Sequence, residues 1–170
     1  MNRRYFLSSA ITAGTLAAFA QPLAVASWWQ NQSPFRFDGV KKVIKTDKEW
    51  KRILTNDQYN VTRQKGTERP FSSPLNENHN EGTFHCVACL LPLFSSEAKF
   101  DSGTGWPSFW QPIAKENVRE DVDSSLSEVR TEVLCARCDS HIGHVFPDGP
   151  KPTGLRYCMN GVALKLVKAS

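Results

Sequence analysis

The 170-residue sequence contains no hydrophobic run long enough to cross a bilayer. Its most apolar stretch, Phe6 to Ala20, is interrupted by Ser, Thr and Gly and falls short of the roughly 20 apolar residues a span requires. No stable membrane association is expected. A strong charge of one sign is missing too. The chain holds 21 basic and 17 acidic residues, a net +4 that is too small for a dedicated nucleic-acid binder. Low-complexity tracts are absent after residue 26, and the only internal echo is a pair of Cys-x-x-Cys motifs. There is also no sixth cysteine. The five present are Cys86, Cys89, Cys135, Cys138 and Cys158, so disulfides within one chain cannot use them all. The length and the 40% hydrophobic content fit one ordinary globular domain with an added tail.

The tail is at the start. Residues 1–26 carry Arg3 and Arg4 and no acid, then the mildly apolar stretch, then Ala24-Val25-Ala26, a small-x-small cleavage pattern. That order reads as a secretory signal cleaved after Ala26, and its opening Asn2-Arg3-Arg4-Tyr5-Phe6-Leu7 resembles a twin-arginine signal. The expected location is periplasmic. Removing this segment takes away two cations and lowers the net charge to +2. A twin-arginine route carries folded proteins, which would spare four thiols from scrambling in an oxidising compartment.

Residues 27–42 read as an extended lead-in containing Trp28 and Trp29, and the domain is expected over 43–168. Thr46-Asp47-Lys48-Glu49 has the form of a capping box, with Trp50, Ile53 and Leu54 following at helical spacing. A second short helix is expected over 56–63. Residues 64–82, with Pro70, Pro74 and Gly82, read as a surface loop. Beyond Gly82 the texture becomes that of a small antiparallel β domain. Strands are expected at Thr83–Val87, Leu93–Phe94, Val129–Leu134, Ile142–Phe146 and Tyr157–Val167.

Each Cys-x-x-Cys knuckle can turn two sulfurs toward one metal ion. Two such knuckles make a closed tetrahedral site of the kind that holds structural zinc. The intervening 45 residues, 90–134, exceed the roughly 15–20 of a compact zinc ribbon, so the metal would staple distant parts of a larger sheet. Redox-active Cys-x-x-Cys pairs, a three-cysteine site completed by His141, and disulfides are the alternatives.

The odd cysteine lies in Arg156-Tyr157-Cys158-Met159-Asn160. On a strand, Arg156, Cys158 and Asn160 share a face, and a guanidinium beside a thiol favours the reactive thiolate. A lone strand cysteine is otherwise a small buried hydrophobe. The stretch from His141 to Pro150 adds His144, Asp148 and tight-turn residues. A Cys–His pairing is a nucleophilic arrangement. In the run Phe100 to Trp110, Gly103 and Gly105 allow unusual backbone angles, and Trp106 and Phe109 either form an aromatic wall or fill the core.

Taken in order, Cys86-x-x-Cys89, Gly105-Trp106-Pro107-Ser108-Phe109, Cys135-x-x-Cys138, His141-Ile-Gly-His144-Val-Phe and Gly154-Leu-Arg156-Tyr157-Cys158-Met-Asn160 resemble methionine sulfoxide reductase B. The match runs from about Val43 to Val167. The resemblance implies a mainly β fold of two antiparallel sheets, a sandwich or tent, with short N-terminal helices and one structural zinc on the four cysteines. It implies reduction of methionine R-sulfoxide, free or in proteins, with Cys158 as nucleophile and its sulfenic acid as intermediate. His141, Asp148 and Asn160 match the family's polar positions, His144 and Trp106 its substrate pocket, and Arg156 would favour the thiolate. A sulfoxide oxygen leaves poorly until protonated, so acid assistance is required.

Two departures matter. Thr104 stands where many members have a resolving cysteine, which implies recycling by an external thiol, thioredoxin-like or other. Gly161 stands where serine is common. A zinc-stapled binding module and a thiol–disulfide oxidoreductase are the competing readings. Nothing in the sequence indicates an oligomer, and a monomer is expected.

Overall fold

The computed structural model describes residues 39–169. The expected signal, its cleavage site, most of the lead-in and the Trp28–Trp29 pair lie outside the described residues. Among the described residues, no helix is long and apolar enough to cross a membrane.

Two short helices come first, α1 (Asp47–Ile53) and α2 (Asn56–Gln64). Both begin with a complete capping box. Thr46 caps Glu49 and is capped back by its carboxylate at 2.7 Å, and Thr55 does the same with Gln58. A cap of this kind contributes about 1 kcal/mol. At seven and nine residues, neither helix would persist alone. Burial of Trp50, Leu54 and Val61 secures them, with the Arg63 guanidinium 4.9 Å from the Trp50 ring centroid. Ile53, expected on the apolar face, is exposed.

Nine strands follow: β1 (Gly82–Cys86), β2 (Pro92–Ser95), β3 (Lys99–Phe100), β4 (Ser108–Phe109), β5 (Val118–Asp123), β6 (Arg130–Cys135), β7 (His141–Phe146), β8 (Arg156–Met159) and β9 (Leu164–Lys168). They form two antiparallel sheets, ordered β2-β1-β9 and β3-β4-β8-β7-β6-β5. The fold is therefore mainly β with two sheets and short N-terminal helices, as expected. The sheets meet through aromatic rings. Phe94 of the smaller sheet stacks on Phe109 of the larger at 4.5 Å, and Phe84 meets the same ring edge-on at 4.9 Å. Such pairs add about 0.5–1.5 kcal/mol each beyond burial.

One expectation changes and one open alternative closes. The run 157–167 is not one strand. Asn160 donates from its backbone and its side chain to the Ile142 carbonyl, a 3-10 turn follows at Gly161–Ala163, and β8 and β9 enter different sheets. Phe109 is fully buried and belongs to the core rather than to an exposed wall. The loop over 65–81 has no helix or strand, as expected, and its Glu68 side chain is tied to the backbone of Gly161 and Val162.

Candidate active site and metal-binding cluster

Antiparallel pairing sets one line of side chains across the larger sheet. Cys158 on β8 is paired with Ser108 of β4 on one side and His144 of β7 on the other. His144 is paired in turn with Glu132 of β6. Directly paired residues share a face, so these four line up without help from any loop. His141 joins them through an irregularity. Leu134 pairs with His141 while Val133 pairs with Gly143, so β7 carries Ile142 as an extra residue. The bulge turns two histidines three positions apart to the same side, where their rings meet edge-on at 5.3 Å.

Each histidine has its own carboxylate. His141 donates from Nδ1 to Glu132 at 2.7 Å, and both side chains are nearly inaccessible. The other Glu132 oxygen accepts from Lys65 Nζ at 2.7 Å, and the His141 Nε2 atom is buried without a protein partner. Burial pushes the His141 pKa down against the pull of Glu132, which keeps the ring neutral near pH 7. His144 donates from Nε2 to Asp123 at 2.7 Å. The Asp123 carboxyl is held well below the usual range by Ser125, His144 and Arg130. Neither Glu132 nor Asp123 stands out in the sequence as a site residue. For Glu132 the available signal is an acid inside the strand-like run at 129–134; Asp123 carries no comparable signal.

Cys158 is half-buried. Burial raises its thiol pKa, and the Thr104 hydroxyl at 3.8 Å, Arg156 and Ser108 pull it back only in part. Arg156 thus acts in the expected direction, but desolvation outweighs it. Its guanidinium is gripped by Asp148 through two 2.8 Å bonds and stacks 4.5 Å over Phe146. Asp148 is accordingly the partner of Arg156, and the carboxylate against His141 is Glu132. Thr104, Ser102 and Ser108 form a hydroxyl chain beside the thiol, with links of 2.8 and 2.7 Å.

Trp106 follows a turn in which Gly103 and Gly105 both have positive φ, as the sequence suggested. A Cβ at Gly105 would strike the Phe71 ring and Pro70 at 2.8 Å, so the turn and the 68–71 strap fit only around glycine. The Trp106 indole donates to the Glu68 carbonyl at 3.2 Å. Asn160 accepts from the Glu68 backbone N–H at 3.0 Å. Gly161 also has a structural reason: an added Cβ would lie 2.5 Å from the Ser73 Cβ. A cavity of about 810 Å³ lies behind this strap, lined in part by Asp57, Glu68, Arg69 and Gly161, and not by Cys158.

The remaining cysteines gather elsewhere. The sulfurs of Cys86, Cys89, Cys135 and Cys138 all lie within 4.8 Å of one another, and none forms a disulfide. Cys86–Cys138 and Cys89–Cys135 are 3.7 and 3.5 Å apart. Tetrahedral zinc with bonds of ~2.3 Å separates its sulfurs by ~3.8 Å, so the donor set and its spacing suit that ion. The knuckles are alike: Leu90 and Asp139, each following the second cysteine, have φ near 55–58°, and each donates to the first cysteine's carbonyl at 2.9 Å. His141 is committed to Glu132 and is not a fourth ligand. Cys86 ends β1 and Cys135 ends β6, so the cluster ties the two sheets together.

The family model described as the SelR domain matches residues 54–168. The chain belongs to the SelR domain family. Proteins named peptide methionine sulfoxide reductase MsrB are similar to it. The one from Pseudomonas fluorescens is 58% identical over 128 residues, covering 75% of this chain and 98% of that protein. That from Hahella chejuensis is 55% identical over 130 residues, 76% and 94% respectively. That from Pseudomonas savastanoi pv. phaseolicola is 59% identical over 128 residues, 75% and 98%. The matched stretch of this SelR domain holds both the cysteine cluster and the Cys158 line.

Proposed function

We propose that this protein reduces methionine R-sulfoxide to methionine, with Cys158 as nucleophile. The observation that carries the reading is the placement of Cys158 in register beside His144, apart from the four-sulfur cluster. Its kinship with proteins named as methionine sulfoxide reductases supports the same chemistry.

The Cys158 thiolate attacks the sulfoxide sulfur and the S–O bond breaks. The oxygen ends on Cys158 as sulfenic acid and methionine leaves, so Cys158 loses two electrons and the substrate gains them. Proton delivery to the departing oxygen falls to an imidazolium form of this histidine pair, His141 or His144 taking up a proton on the nitrogen that its carboxylate leaves free. Trp106 receives the S-methyl group. Arg156, fixed by Asp148, opposes the desolvation of the thiolate. Asn160 ties the end of β8 to β7 and to the strap.

Recycling uses external thiol. One thiol attacks the sulfenic acid and releases water, and a second releases Cys158 and leaves as disulfide. A thioredoxin-like donor supplies this chemistry. The Cys86, Cys89, Cys135 and Cys138 thiolates would hold one zinc, which would supply rigidity rather than chemistry, since four sulfurs leave no open position. The protein acts as a monomer exported to the periplasm by its twin-arginine-like N-terminus, on free or protein-bound sulfoxide.

The test is an assay on both sulfoxide epimers with dithiol as reductant, followed by dimedone labelling. Turnover of the R epimer alone, with Cys158 labelled, is expected. Turnover of the S epimer, or none, overturns the reading.

A further inference from the structure

We propose that Glu68 is a positioning residue for substrate binding, locking Trp106 to the end of the strand that carries Cys158. The inference rests on the reading of Trp106 as the substrate wall.

Four hydrogen bonds converge on this one residue. Its carboxylate spans two successive backbone donors just past β8, accepting from Gly161 N at 2.7 Å and Val162 N at 2.8 Å. Its own N–H is held by the Asn160 side chain at 3.0 Å, and its carbonyl accepts the Trp106 indole N–H at 3.2 Å. The 3-10 turn at Gly161–Ala163 has no capping side chain of its own at Asn160. Glu68 therefore satisfies two otherwise orphaned donors from 93 and 94 residues away in sequence.

The consequence is mechanical. Trp106 sits on a glycine-bounded turn, and β4 begins two residues later. Its ring plane needs a fixed reference, and that reference is the Glu68 carbonyl. The carbonyl is in turn fixed by a carboxylate anchored on the two residues that follow Asn160 and by Asn160 itself. The same strap contributes a second tie, Phe71 N to Gly105 O at 2.7 Å. The wall and the nucleophile are thus referred to a common point, although Trp106 lies on the turn before β4 and Cys158 on β8.

Glu68→Gln tests this. The amide keeps the size but offers one acceptor and one donor to two backbone N–H groups, so one bond of the clamp is lost. KM for N-acetyl-methionine-R-sulfoxide is expected to rise roughly tenfold, the scale of one charge-assisted bond, with kcat within about twofold. Cys158 alkylation by iodoacetamide at fixed pH is expected to be unchanged, which a generally damaged site would not show.

The double-mutant cycle with Trp106→Phe decides the route, because phenylalanine has no N–H to place. If Glu68 acts through Trp106, adding Glu68→Gln to Trp106→Phe raises KM by no more than about twofold. Multiplicative effects, or a fall in kcat at constant KM, overturn the inference and leave the substrate-wall reading standing. An unchanged KM in Trp106→Phe alone overturns that reading and the inference with it. Should Glu68→Gln fail to fold by its Tm, Glu68→Asp, which keeps the charge but shortens the reach, runs the same cycle with the same deciding outcomes.

Discussion

The hydroxyl of Thr104 stands 3.8 Å from the sulfur of Cys158. A thiol at that position would be within reach of the nucleophile after modest adjustment. Thr104→Cys is expected to trap Cys158 as an intramolecular disulfide after one turnover, abolishing dimedone labelling. The wild-type chain should instead accumulate a labelled Cys158 when thiol is withheld. Mass analysis of the peptide containing Cys158 separates the two cases.

Cys158→Ser removes the nucleophile while retaining nearly the same volume. Reduction is expected to fall to background with no loss of bound metal and little change in Tm. Residual activity within about tenfold of wild type would rule out Cys158 as the attacking group.

Arg156 lowers the thiol pKa against the stronger upward push of burial. Replacing it with methionine should shift the pH profile of Cys158 alkylation further upward, so the rate at neutral pH falls. Asp148→Asn, which leaves the guanidinium in place but loosens it, should give a smaller shift in the same direction. Alkylation rate against pH is the measurement.

Loss of a sulfur from the four-cysteine cluster removes a tie between the sheets. Cys89→Ala is expected to lower Tm by more than ~10 °C, the equivalent of a few kcal/mol in a domain of this size. A strong chelator should do the same to the wild type. Metal content and thermal unfolding followed together check both.

Asp123 carries a depressed carboxyl pKa, so its contribution to stability is fully present above the unfolded value of about 3.9 and is lost as pH falls toward the folded one. The Tm difference between wild type and Asp123→Asn should therefore shrink progressively below about pH 4.

Local signals were the legible part of the fold. Thr46 with Glu49 announces α1 because the capping box is contained in four residues, and the knuckles are visible for the same reason. β5 is not legible in the sequence because it is an edge strand, exposed along most of its length, so Val118–Asp123 shows no apolar alternation. The long run ending at Val167 concealed a change of sheet, since only the bonds from Asn160 to Ile142 reveal the break.

At the site, the resemblance picked out Cys158, His141, His144 and Trp106, but not the carboxylates behind them. Glu132, Asp123 and Glu68 owe their partners to strand register, a bulge and a long-range cap, none of which is encoded within a few residues. Gly161 shows the same limit. A departure unexplained in the sequence becomes a packing requirement once Ser73 is seen against it. Gly161→Ser should loosen the strap and lower Tm, and adding Ser73→Gly should restore it.

The line Ser108–Cys158–His144–Glu132 draws one residue from each of four neighbouring strands. Because side chains alternate faces, a slip of a single residue in any of those pairings would send one member to the opposite side of the sheet. Catalytic competence in this enzyme is therefore a sensitive gauge of folding fidelity. A population that is compact, metal-loaded and β-rich but misregistered by one step would be spectroscopically convincing and chemically silent, and the ratio of activity to bound metal would count the correctly threaded molecules.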